Sequence, residues 1–139
     1  GDDYLQKLYS IVAALKLQSV IHFKPYIPNP SVFYQAIDVF AMPAYGETYG
    51  MVTLEAMASE VPVVGVNKEG TKELLQSGRL GWLHELEDID GYVQAIKTIR
   101  TSTTTTEKIA LAKQEVVMHF STAKMMNDIN SSLEKLLKH

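Results

Sequence analysis

No cysteine occurs anywhere in the 139 residues, which excludes disulfides, thiolate metal ligands and a cysteine nucleophile. Arginine is nearly missing as well: Arg79 and Arg100 are the two guanidinium groups, and the formal charge of -3 comes with no basic cluster. A nucleic-acid footprint needs such clustering, so nucleic acid is not an expected partner. No apolar run approaches the roughly 18 residues of a membrane span, and Gly1-Asp2-Asp3 lacks the basic and apolar character of a secretory leader. The expected location is cytoplasmic, with peripheral contact at the inner face of a membrane left open. The histidines at 22, 84, 119 and 139 have no ligand-like spacing, so no protein-bound metal and no cofactor are expected.

What is present is an apolar fraction of 46% against 21% charged residues, the profile of a globular protein. The length suits one domain over residues 1–139, able to bury roughly two-thirds of the surface its unfolded chain exposes. Apolar residues at helical spacing predict a helix over 3–17, behind Asp2 and Asp3 as caps. "VIHFK" at 20–24 reads as a short strand stopped by Pro25, Pro28 and Pro30. Asn29-Pro30 is a cap followed by proline at the first helical position, opening a short helix through Ile37. "VFAMP" at 39–43, "VPVVGV" at 61–66 and "GWLHE" at 81–85 read as strands. Helices are expected over 51–59, 70–76, 89–100, from a Thr104/Glu107 capping box to about His119, and over 123–137. Alternating strands and helices predict an α/β, Rossmann-like three-layer domain, a parallel sheet with helices on both faces. With about four strands visible and Gly1 placed at a strand's closing turn, the chain is expected to be a fragment lacking an opening strand-helix-strand.

The segment "PAYGETYGMVTLEAMASEVPVVGV" (43–66) sets Glu47 in a glycine-marked loop and Glu55 eight positions on, inside the following helix. In open parallel sheets, ligands bind beyond the carboxyl ends of strands, where the chain passes into helices. Gly46 and Gly50 let a ligand approach the main chain. The leading amides of the next helix, near Gly50, Met51 and Val52, favour phosphate. Carboxylates beside a phosphate site make sense as acceptors for sugar hydroxyls, a pairing that a nucleotide sugar supplies. Taken by spacing alone, two glutamates at a helix start are more often surface charges favoured by the helix dipole.

The wider string is more specific. "GETYGMVTLEAMASEVPVVG", followed by "GTKELL" and "GRLGWL", resembles the C-terminal domain of the group 1 retaining glycosyltransferases of the GT-B fold. The resemblance covers about residues 20 to 137. It implies sugar transfer from a nucleotide diphosphate donor to an unknown acceptor (glycan, lipid or small molecule) bound by an N-terminal domain not in this chain. By the same resemblance Glu47 contacts the donor sugar as the catalytic acid of the motif and Glu55 holds the ribose hydroxyls. Backbone amides of Tyr49, Gly50, Met51 and Val52 then face sugar and diphosphate, Tyr26 falls beside the base, and Gly70 lies close to the ligand.

Three departures stand out. Glu60 replaces a glycine common after the helix, where a left-handed cap would cost about 1 to 2 kcal/mol. Glu69 replaces the first of a frequent glycine pair. The basic pair that neutralises the diphosphate in the family has no visible equivalent. Lys68 and Lys72 read as solvated, Glu73 is equally a family acid or a first-turn charge, and Trp82 reads as core or a domain contact. Two alternatives stay open: a carbohydrate-active hydrolase, whose Glu47 and Glu55 would stand about 5 Å apart if retaining or roughly 6.5 to 9.5 Å if inverting, and a non-enzymatic nucleotide-binding or interaction module.

Overall fold

The computed structural model describes residues 2–44, 46 and 50–137. Three short strands, β1 (Phe40–Met42), β2 (Val63–Val66) and β3 (Trp82–His84), form a parallel sheet in the order β1-β2-β3. Ala41 stands opposite Val64, and Gly65 opposite Leu83. All four residues of β2 are buried, as expected for a central parallel strand covered on both faces.

Successive β2 side chains point to opposite faces, and the core divides accordingly. Val63 joins one cluster with Leu54, Ala56, Met57, Leu75, Ala112 and Val116. Its neighbour Val64 joins another with Ala95 and Ile99, against which Trp82 and Tyr92 pack. The helices supplying the first cluster are α2 (Pro30–Tyr34), α3 (Met51–Ala58) and α6 (Thr105–Phe120), while α5 (Ile89–Thr101) covers the other face. A further helix, α4 (Glu69–Leu74), packs closely on β2: a side chain at Gly65 would collide with Thr71 Cγ2. These layers match the fold class expected from the alternating pattern.

Local sequence accounts for most boundaries. Asn29 accepts a hydrogen bond from the Ser31 amide and Pro30 opens α2. Asp88 caps α5, accepting from the Gly91 amide at 2.9 Å. At the end of α3 the Glu60 amide donates to the Met57 carbonyl and the Val61 amide to that of Ala56, the paired bonds of a Schellman cap. Glu60 takes φ +61° there. The turn is thus kept left-handed with a glutamate in it, and Glu60 pairs with Lys113 of α6 at 2.8 Å. Glu69 likewise holds φ +46°.

Two expectations are corrected. Residues 20–24 form no strand; the amides of Val20 and Ile21 turn back to the Leu17 carbonyl, and Phe23 stacks edge-on against Tyr9 at 4.7 Å. A strand needs a neighbour to pair with, and among the described residues β1 has only β2. The capping box at Thr104 and Glu107 does not form either. Thr104 makes no side-chain cap bond, its hydroxyl pairing with that of Ser102 at 2.9 Å.

The terminal helices differ from the rest. In α1 (Asp2–Ala14) Val12 is buried, whereas α7 (Thr122–Leu137) has no buried residue. Asp2 and Asp3 belong to α1 instead of preceding it.

Candidate site at the start of the third helix

Beyond the carboxyl end of β1 the chain reaches α3 through residues 43–50. Glu47 and Tyr49, two residues of the expected site, lie outside the described residues, so the spacing between Glu47 and Glu55 is a statement about sequence alone. Gly50 is buried and left-handed, with φ +64° and ψ 38°. This conformation turns the chain into α3 at little cost only for glycine. The Gly50 carbonyl accepts the first bonds of the helix, from Thr53 at 2.9 Å and Leu54 at 3.0 Å. The amides of Met51 and Val52 precede those bonds and sit at the positive end of the helix dipole. Both side chains are exposed, Met51 by 53%.

Glu55 follows on the same helix, half-buried. Its Oε2 accepts a hydrogen bond from the Tyr34 hydroxyl at 3.1 Å, and that hydroxyl stands equally close to the Val52 carbonyl oxygen. Tyr34 is 4% exposed. Burial, then the bond to Glu55 and its negative charge, push the phenol up to about 12. Reading residues as single positions misses Tyr34. The available signal is an aromatic ring with a polar tip on a short helix, since a buried tyrosine hydroxyl needs a partner.

Glu55 lines two clefts. One, of about 270 Å³, is lined by Pro30, Ser31, Tyr34, Ala58 and Ser59 besides Glu55. The other, of about 180 Å³, is lined by Met51, Leu54, Glu55, Ala58, Val116 and Phe120. A larger depression of about 600 Å³ runs along α1, lined by Asp3, Tyr4, Gln6, Lys7 and Ser10. It belongs to one helix and includes no residue from a strand end.

The remaining expected residues are more scattered. Tyr26 is 88% exposed, in the loop before α2. Gly70 is half-buried in the first turn of α4, and Lys68, Lys72 and Glu73 are exposed. After β2 and β3, the Asn67 amide donates to the His84 carbonyl at 2.7 Å and its side chain to Glu85 at 2.6 Å, tying the two strand ends together. His84 Nδ1 lies 2.9 Å from the Glu85 carbonyl, which makes Nδ1 the protonated nitrogen; its Nε2 is buried with no partner among the described residues. Trp82 packs against the second core cluster under the Lys108 ammonium, 4.6 Å from its ring centroid. Burial lowers the Lys108 pKa.

Among the described residues no three His, Asp or Glu side chains gather as metal ligands would. Asp88 and Asp90 do have the D-x-D spacing of some divalent-ion sites, and in the fold Asp88 serves as the cap of α5. Nor is any described helix long and apolar enough to cross a membrane.

With this geometry in place, comparison with known proteins is informative. The family model for glycosyl transferases group 1 matches residues 1–115. A D-inositol 3-phosphate glycosyltransferase of Kribbella flavida is 31% identical over 122 residues, which is 86% of this chain and 29% of that protein. The sulfoquinovosyl transferase of Arabidopsis thaliana is 36% identical over 85 residues, 59% of this chain and 17% of its own length. Among solved structures, HepE of Anabaena in complex with UDP-glucose superposes with a TM-score of 0.84 at 26% identity, covering 96% of this chain and 37% of that one. The chain spans 17% to 30% of the length of the first curated relatives it matches.

Proposed function

The chain belongs to the group 1 glycosyl transferases, and from that premise we propose that it is the donor-binding part of a retaining enzyme, gripping a nucleotide diphosphate sugar at the start of α3. The observation that carries this reading is the placement of Glu55. A carboxylate held by Tyr34 stands one turn beyond the leading amides of a helix that begins past a strand's carboxyl end. A nucleotide sugar matches both features, a diphosphate for the amides and ribose hydroxyls for the acid.

In this reading the amides of Tyr49, Gly50, Met51 and Val52 face the diphosphate and sugar. Glu47 contacts the transferred sugar, Tyr26 flanks the base and Gly70 approaches the ligand. Catalysis rests on stabilising the departing nucleotide diphosphate and orienting donor against acceptor. Positive charge for the diphosphate and the acceptor site come from outside the 139 residues, and no protein-bound metal takes part. The reading also places the protein at the cytoplasmic side of a membrane or free in the cytoplasm. HepE, the 26% identical neighbour, is a protein whose solved complexes contain UDP and UDP-glucose, which supports a nucleotide sugar as the ligand class.

Ligand-observed NMR of the 139-residue chain with UDP, GDP and ADP tests this. We expect weak binding of at least one nucleotide, at least tenfold weaker in Glu55→Ala, with no sugar transfer by this chain alone. A single hydrogen bond from a hydroxyl to a charged acceptor accounts for about that factor. Equal binding by the wild type and Glu55→Ala, or no binding of any of the three, would overturn the assignment.

A further inference from the structure

Glutamate is a poor fixed acceptor when left alone, because ordering its flexible side chain costs up to about 2 kcal/mol. Here that ordering is achieved within the fold. Tyr34 is clamped by edge-on ring contacts to Phe33 at 5.5 Å and Phe40 at 5.7 Å. Its ring is buried in the first core cluster, so the hydroxyl has a fixed position, from which it reaches Glu55 Oε2 at 3.1 Å. A phenol has one proton to donate, and with the Val52 carbonyl also at 3.1 Å it has a second acceptor beside the first. The bond to Glu55 engages Oε2 and leaves Oε1 on the other side of the carboxylate.

We infer that Tyr34 is a positioning residue that presets Glu55 to receive the ribose hydroxyls, and so determines how strongly the site prefers ribonucleotides to deoxyribonucleotides. The inference rests on the donor-site reading of Glu55. Side-chain freedom lost on folding need not be lost again on binding, which is the general gain of preorganisation. A ribose hydroxyl then has Oε1 to donate to, while the Tyr34 bond to Oε2 persists.

The test compares the affinities of UDP, GDP and ADP with those of their 2′-deoxy counterparts for the wild type, Tyr34→Phe, Glu55→Gln and the double variant. The wild type should prefer the ribose forms. Tyr34→Phe should reduce that preference about three- to tenfold while changing deoxynucleotide affinity less than twofold. Adding it to Glu55→Gln should change nothing further. A merely structural role for Tyr34 predicts equal weakening of both nucleotide forms, and that result would sink the inference. If Glu55→Gln abolishes the preference and Tyr34→Phe keeps it, Tyr34 is not the holder while the donor-site reading survives. If Glu55→Gln keeps the preference, the donor-site reading itself fails. Should Tyr34→Phe not fold, wild-type protein with 13Cζ-labelled tyrosine gives the answer: the Tyr34 resonance should move with ribonucleotides and not with deoxynucleotides, and an identical response to both counts against the role.

Discussion

The third helix is apolar almost all round and the seventh has one apolar stripe on a polar body, and they end in opposite environments. Of the eight residues of α3, Thr53, Leu54, Ala56 and Met57 are buried, and the helix lies between the sheet and α6. The sixteen residues of α7 include none that is buried, although Met125, Met126, Ile129, Leu133, Leu136 and Leu137 make up much of its length. Apolar periodicity identifies a face suited to burial, but not whether anything covers it. The candidate site sits on the covered helix, where packing can hold a carboxylate still.

The sharpest way to break this contrast is to truncate one side chain in each region. Met57→Ala, at a site 2% exposed, should lower unfolding free energy by about 2 to 5 kcal/mol. Leu133→Ala, at 52% exposure, should stay within about 0.5 kcal/mol. Urea titration of both variants measures the difference, and equal losses would mean that the α7 face is covered in solution.

A smaller effect sharpens the picture of what fastens α6 to the centre. The Lys108 ammonium donates to the carbonyls of Gly78 at 2.7 Å and Gly81 at 3.0 Å. Lys108→Met keeps a chain of similar length over Trp82 but leaves those acceptors without their donor. A loss of about 1 to 3 kcal/mol is expected, and an unchanged urea midpoint would show that water replaces the amine at no cost.

The smallest expected effect has the opposite sign. Glu60→Gly relieves a left-handed glutamate, worth about 1 to 2 kcal/mol, and gives up the exposed ion pair to Lys113, worth at most about 1 kcal/mol. A modest rise in the unfolding midpoint should follow. A fall would mean that the ion pair outweighs the backbone strain.

Much of this fold is legible in the residues. The alternating buried strands, the Asn29-Pro30 start and the left-handed demand at position 60 all follow from short-range rules, and each boundary expected for β1, β2 and β3 lies within two residues of that observed. Residues 20–24 were not legible, because β-branched apolar residues indicate a strand only where a partner strand exists to accept its bonds. Thr104 failed as a capping box because Ser102 competes for its hydroxyl. In the site, Glu55 and the α3 amides can be placed from the motif. The Tyr34 contact cannot, because its partners are 21 positions apart and meet only through the packing of α2 on α3.

The cap at the end of α3 has a consequence for how such a chain can change. Glutamate and glycine codons differ by a single base, so the relaxed form of this turn is one transition away at all times. A lineage that keeps glutamate at position 60 is not short of routes to glycine. What it would lose by taking one is the surface link from the end of α3 to Lys113.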